Sequence, residues 1–208
     1  MPDMNKRLTA SLEFTLRWEG GYVNHPNDPG GATNKGVTKR VYDAYRQDNG
    51  LDLSDVRDIT DFEVHDIYET RYWKMARCPT LPIDLDTVQF DTAVNMGVGR
   101  AVKFMQKSTG CVADGAWGPQ TAAAVAGCNP GKTLKAHCDL RETFYNALVN
   151  RKPDMSVFLK GWMNRLNDLR GFVGLPGHES LRGVPDFGET GFVLRLNDEA
   201  YDGEDNFL

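Results

Sequence analysis

The sequence predicts a mostly α (α+β) fold: seven or so helices with one small β-hairpin just after the first helix. Three observations carry the prediction. Apolar residues recur at helical intervals over most of the chain as far as about residue 172. Capping or helix-breaking residues punctuate these stretches. One early segment, 22–37, abandons the helical period for closely spaced turn formers.

The elements follow in order. Leu8, Leu12 and Leu16 repeat every four residues, with Phe14 and Trp18 beside them, and predict a helix over about 5–18 that stops at Gly20-Gly21. Asp28-Pro29-Gly30-Gly31 can make a tight turn inside an irregular hairpin over 22–37. Thr38 can cap a helix over about 39–48. Thr60-x-x-Glu63 has capping-box spacing ahead of Val64, Ile67 and Tyr68, and predicts a helix over about 61–75. Cys78-Pro-Thr-Leu-Pro82 reads as a connector. Residues 83–96 and 99–109 read as two helices broken at Gly97-Val98-Gly99. Trp117-Gly118-Pro119 introduces an Ala-rich helix with Pro in its first turn, and Asn129-Pro130-Gly131 breaks it. Two more amphipathic helices, 132–151 and 154–172, are split by Pro153. Phe192, Leu194 and Leu196 alternate and allow one short strand. The only seam falls near 78–90. The expected division is 1–85, 86–178 packed with it as one globule, and a tail over 179–208.

Composition narrows the function class. With 40% hydrophobic and 25% charged residues in 208, a packed globular chain is expected, and disorder, collagen and coiled coil are excluded. No apolar run approaches the ~18 residues of a membrane span, and the start lacks the apolar core of a secretory signal. The net charge is −5, yet residues 186–208 hold seven acids against Arg195, so the body is close to neutral. Without a basic stripe, no nucleic-acid partner is expected. Cys78, Cys111, Cys128 and Cys138 are widely spaced and form no C-x-x-C. They read as buried thiols, with a Cys111–Cys128 bridge or a zinc site as alternatives. No metal or cofactor is required.

Residues 19–33 carry the candidate chemistry. Glu19 ends the first helix beside two glycines, Asp28 follows on the turn-rich segment, and Thr33 comes five residues later. A helix end beside a hairpin makes a cleft. A carboxyl there, partly buried by Trp18 and Tyr22, would have its ionised form disfavoured, and a second carboxylate in a wetter turn would stay charged. Two carboxyls in different environments are what glycosidic cleavage needs. Spacing alone equally allows a surface Glu and a structural Asp-Pro-Gly turn.

The run Glu19-Gly-Gly-Tyr-Val-Asn-His-Pro-Asn-Asp-Pro-Gly-Gly-Ala-Thr-Asn-Lys-Gly-Val-Thr38 resembles the signature of glycoside hydrolase family 108. Its members are bacterial and bacteriophage N-acetylmuramidases, lysozymes and endolysins that cleave peptidoglycan. The resemblance implies a lysozyme-like helical fold with Glu19 as the catalytic acid and Asp28 and Thr33 as the second and third members. The Asp-to-Thr gap is about one residue shorter than the commoner phage pattern, which makes Thr38 the alternative. Tyr68-x₃-Tyr72-Trp73 resembles the family's aromatic pair, and Phe90-Asp91-Thr-Ala-Val-Asn95-Met-Gly97 resembles a lysozyme-like helix facing the cleft. By the same resemblance Tyr22, Asn24, Tyr72 and Asn95 are candidate substrate contacts. Tyr72 also reads as core, and Asn95 as a tie between hairpin and helix. Residues 104–121 resemble a peptidoglycan-binding region, although Trp117-Gly118-Pro119 reads equally as a helix start.

These implications give a monomeric hydrolase with peptidoglycan as partner, made in a bacterial cytoplasm and released to the wall through a holin, with an effector delivered by another machine as the alternative. A lytic transglycosylase, which needs one carboxyl and ends in an anhydro sugar, is the first rival. A non-catalytic wall-binding protein is the second.

Overall fold

The computed structural model describes residues 4–24 and 31–176. The alternating stretch near 194 and the acidic tail lie outside the described residues, as does Asp28.

Helix α1 (Met4–Leu16) is followed by two-residue strands β1 (Thr33–Asn34) and β2 (Val37–Thr38), which pair antiparallel with Thr33 opposite Thr38. Thr38 caps α2 (Lys39–Asp48), its hydroxyl accepting from Val41 N. Thr60 and Glu63 make the predicted reciprocal capping box at the start of α3 (Asp61–Tyr68). The predicted helix over 61–75 does not continue as α: Glu69–Trp73 form a wider π-helical turn. Helices α4 (Leu85–Met96) and α5 (Val98–Ser108) are separated at Gly97, whose φ of +89° few residues other than glycine adopt. Pro119 opens α6 (Pro119–Ala126) from its first turn.

Asn129-Pro130-Gly131 follows the break between α6 and α7 that the sequence predicts, and α7 (Pro130–Arg151) starts two residues earlier than expected. The Asn129 side chain accepts from Lys132 N and Pro130 occupies a position where no N–H is needed. Helix α8 (Ser156–Phe172) follows a short 3₁₀ turn at Pro153–Met155.

Helix α4 organises the rest. All of its residues are buried, so it contributes to two apolar clusters at once. Phe90, Ala93 and Val94 join Leu8, Leu12, Tyr42, Ile67 and Tyr68 in one. Leu85, Val88 and Met96 join Phe14, Phe104, Phe144, Trp162 and Leu166 in the other. Helix α1 likewise gives Leu8 and Leu12 to the first cluster and Phe14 to the second. The sequence-predicted division at 85/86 therefore falls at the first turn of a helix that walls both clusters.

A wholly buried helix must pair every polar side chain it carries. On α4 the partners come in from the surrounding helices. Asp86 pairs with Arg7 of α1, and Gln89 with His137 of α7. Asp91 pairs with Arg141 of α7 and Arg165 of α8, and Asn95 with Tyr145 of α7. The four cysteines are free thiols, with Cys78 and Cys138 buried and Cys111 and Cys128 half-buried. Among the described residues no helix is long and apolar enough to cross a membrane, and no cluster of His, Cys, Asp and Glu could hold a metal ion.

Candidate active site

The chain leaves α1 at Leu16 through turn-type bonds, Trp18 N to Thr15 O and Glu19 N to Leu16 O. Glu19 thus sits in a turn three residues past the helix, and Gly20, at φ +71°, redirects the backbone immediately after it. Helix α8 pins this turn from the side. Trp18 donates its indole N–H to Asp168 Oδ2 at 2.9 Å, and Arg165 Nη1 donates to Glu19 Oε1, also at 2.9 Å. Asp168 and Arg165 are three apart on one face of α8, in register with the adjacent Trp18 and Glu19. The Glu19 side chain is only 2% exposed.

Behind Glu19 lies a fully buried ionic network. Arg165 places Nη2 at 2.6 Å and Nε at 3.0 Å from Asp91 Oδ1. Arg141 Nη1 donates to Asp91 Oδ2 at 2.6 Å, and Thr15 donates to Oδ1 at 3.2 Å. Arg141 Nε donates to the Tyr145 hydroxyl, which donates onward to Asn95 Oδ1 at 2.8 Å. Asp91 and Asn95 are four apart on α4, as are Arg141 and Tyr145 on α7, so one helical repeat sets both pairs face to face. Two guanidiniums thus converge on Asp91, and Arg165 extends one further N–H to Glu19.

The electrostatics follow from these pairings. Burial alone would raise the Asp91 carboxyl, but Arg165 and Arg141 outweigh it and hold the group at about 2. Burial pulls Arg165 down, and Asp91 and then Glu19 more than restore it, so its charge is secured. His137, one turn before Arg141, is pushed down to about 3 by burial and by the Arg141 charge. It is therefore neutral, and its Nε2 carries the proton toward Gln89 Oε1, because the Gln89 amide nitrogen is committed to Ala76 O.

The other sequence-predicted residues are placed as follows. Thr33 is half-buried on β1, and its backbone exchanges two 2.8 Å bonds with Val23. Thr38, the alternative, spends its hydroxyl on capping α2. Tyr22 is half-buried, its hydroxyl accepting from Arg57 Nη2 and its ring 4.5 Å from the Arg57 guanidinium. Asn24 is exposed. Tyr72, on the π-helical turn, lines a groove of about 650 Å³ together with Tyr45, Asn49, Asp66 and Arg71. Asn95 is corrected by the structure. It is fully buried with Oδ1 bonded to Tyr145, which leaves it no surface for a saccharide, and its partner is on α7 rather than the hairpin.

Asp91, Arg141 and Arg165 escaped the sequence reading as site residues. The signal was there for the two arginines. Arg141 lies on the apolar stripe of α7 with Leu134, Cys138, Tyr145 and Leu148, and Arg165 lies on that of α8 with Trp162, Leu166 and Leu169. A charge on a core stripe requires a buried counter-charge.

Comparison with known proteins places these residues in two matched segments. The family model for Glycosyl hydrolase 108 matches residues 12–97, and that for a Predicted Peptidoglycan domain matches 100–167. A solved structure of SagA from Brucella abortus is 32% identical, covers 85% of this chain and 99% of its own, and superposes with a TM-score of 0.66. No curated protein matches the chain. Glu19 and Asp91 fall in the first matched segment, Arg141 and Arg165 in the second.

Proposed function

Because the chain belongs to the glycosyl hydrolase 108 family, and is thus a glycoside hydrolase acting on peptidoglycan, we propose that it is an N-acetylmuramidase. It cuts the β-1,4 bond between N-acetylmuramic acid and N-acetylglucosamine. The observation that carries this reading is Glu19, a carboxyl set in a turn beside the hairpin and aimed by a buried guanidinium.

Glu19 gives its proton to the glycosidic oxygen as the bond to the anomeric carbon breaks and positive charge builds on the muramic acid ring. Asp28 orients or deprotonates the water that adds to that carbon, or stabilises the charge. Thr33 supports the water or the carboxylate through its hydroxyl. Water's hydroxyl ends on the anomeric carbon, so the product carries a reducing N-acetylmuramic acid end. A carboxyl separation of roughly 5–5.5 Å gives retention and roughly 6.5–9.5 Å gives inversion. Tyr22, Asn24 and Tyr72 are the proposed sugar contacts. The biological role we assign is that of a monomeric bacteriophage endolysin, made in the host cytoplasm and reaching the wall through a holin. The resemblance of residues 19–38 supports that role.

Mass spectrometry of purified peptidoglycan, digested by the wild-type protein and by Glu19→Gln, tests the reaction. Muropeptides with reducing N-acetylmuramic acid ends, lost in the variant, are expected. Anhydro ends would make the enzyme a transglycosylase and leave Asp28 a turn residue. Binding to the wall without fragments would place the chain among binding proteins.

A further inference from the structure

We infer that Arg165 is the residue that positions the Glu19 carboxyl for proton transfer, and that Asp91, anchored by Arg141, is what fixes Arg165 in that task. The inference rests on Glu19 being the acid of the proposed muramidase. It assigns to the segment matched as a peptidoglycan domain a part in the reaction itself.

The argument is geometric. A guanidinium is planar, so fixing one edge fixes the direction of the remaining N–H groups. Arg165 commits its Nε and Nη2 edge to Asp91, at 3.0 and 2.6 Å, and its Nη1 then points at Glu19 Oε1, 2.9 Å away. Asp91 cannot swing to follow a mobile partner. It is fully buried on α4, and its second oxygen is taken by Arg141 at 2.6 Å. Thr15, which also bonds Asp91, lies four residues before Glu19 on the same chain and ties the departing turn to this anchor. Elements α1, α4, α7 and α8 thus converge on the aim of a single carboxyl oxygen.

The ionic composition favours a positioning role over a purely structural one. Two arginines and an aspartate buried together carry a desolvation cost, and well-packed apolar residues of similar volume often replace such a cluster without loss of stability. What apolar residues could not supply is a rigid donor reaching a carboxyl at the mouth of the cluster. Misplacing a catalytic group by about 1 Å can cost on the order of 10²-fold in rate.

The test is steady-state kinetics on soluble glycan fragments, with circular dichroism and melting curves on each protein. Arg165→Lys keeps the charge but has no fork, so it cannot hold Asp91 and Glu19 together. Its kcat is expected to fall about 10²-fold with KM within about twofold. Asp91→Asn is expected to move kcat in the same direction. Arg170→Lys is the control. It removes another buried guanidinium from α8, one paired with Asp139 and Glu142, and is expected to keep kcat. Folded Arg165→Lys and Asp91→Asn proteins with wild-type kcat would overturn the inference, as would an equal loss in Arg170→Lys. Failure of the underlying reading looks different: the wild type then releases no reducing muramic acid ends, or Glu19→Gln keeps its activity. Should Arg165→Lys and Asp91→Asn not fold, guanidinium NMR decides, using the wild type and Glu19→Gln. Resolved, slowly rotating Arg165 Nη signals that shift in Glu19→Gln support the positioning contact, and unchanged signals overturn it.

Discussion

Two buried carboxylate clusters in this molecule use the same residue types toward different ends. Glu63 gathers Thr60 N, the Thr60 hydroxyl and the Tyr42 hydroxyl on Oε2 and Arg46 on Oε1. These donors hold it below the usual carboxylate range against the upward push of burial. Every partner lies within 21 residues, and the network closes on itself between α2 and α3. Asp91 also sits between donors, but one of its arginines passes an N–H onward to Glu19, a residue 146 positions away in sequence. A closed cluster stabilises a helix start. An open one delivers a fixed donor to a carboxyl in a turn, which is what a catalytic acid needs.

The comparison breaks first on activity. Glu19→Gln keeps an Oε1 that accepts from Arg165, so the fold is expected to survive with little change in melting temperature. Peptidoglycan hydrolysis is expected to fall by about 10²–10⁴-fold, the usual contribution of a general acid. A variant with normal melting and near-wild-type turnover would remove the distinction between the two clusters.

Glu63→Gln should show the opposite split. Donors converge on both oxygens of Glu63, and an amide can accept at only one of them. At least one donor loses its partner, at a cost of about 1–3 kcal/mol in stability. Turnover per folded molecule, measured well below the melting temperature, is expected to stay at the wild-type level. A large loss of kcat in the folded variant would mean that the α2–α3 cluster also feeds the site.

The two clusters differ just as much in how readable they were. Thr60 and Glu63 announce their box three residues apart, and Thr38 its cap one residue before α2, because such contacts are settled by local backbone geometry. Glu19 was singled out through the glycines and aromatics around it in sequence. Its setting was not. The reading of a carboxyl buried mainly by Trp18 and Tyr22 missed Arg165, whose two carboxylate partners lie 74 and 146 residues away. Nothing local encodes such a pairing. Asn95 was misassigned for the same reason. Its four-residue spacing from Asp91 was visible, but the matching Arg141 and Tyr145 come from α7, and only tertiary packing turns that spacing into a buried polar ladder. The break near 129–131 was legible, and the two-residue offset at the start of α7 arises because Asn-Pro-Gly serves both to stop a helix and to start one.

Acid should separate the two sides of α4. His137 is held neutral at about 3, against an ordinary 6.5, by burial and by Arg141. A depressed folded value means that the unfolded chain takes up the proton first. The stability His137 protects is therefore complete above pH 6.5 and is lost as pH falls from there toward 3. Between pH 7 and 5 this amounts to something on the order of 2 kcal/mol. Asp91, held at about 2, gives up its contribution only below its ordinary 3.8. Melting temperature should thus decline already between pH 7 and 5. His137→Gln, which keeps a donor for Gln89 but has no proton to gain, should flatten that slope. A wild-type curve flat down to pH 4 would show that the α4–α7 contact tolerates a charged imidazole.

The smallest effect expected is at Tyr72, and it sharpens the contrast between the proposed acid and a proposed sugar contact. Tyr45, on the same groove, has its hydroxyl committed to Asp66 at 3.0 Å and is pushed up to about 12 by burial and that carboxylate, so it serves the fold. Tyr72 rests on Tyr68 with ring centroids 5.5 Å apart and reaches the groove from the π-helical turn, where its half-buried ring can stack on a sugar face. Tyr72→Ala is expected to raise KM about tenfold, roughly 1.4 kcal/mol of lost ground-state binding, with kcat unchanged. A fall in kcat at constant KM would instead tie Tyr72 to the placement of Glu19. No change in either constant would make the groove a feature of the fold alone and move the glycan track toward Tyr22 and Asn24.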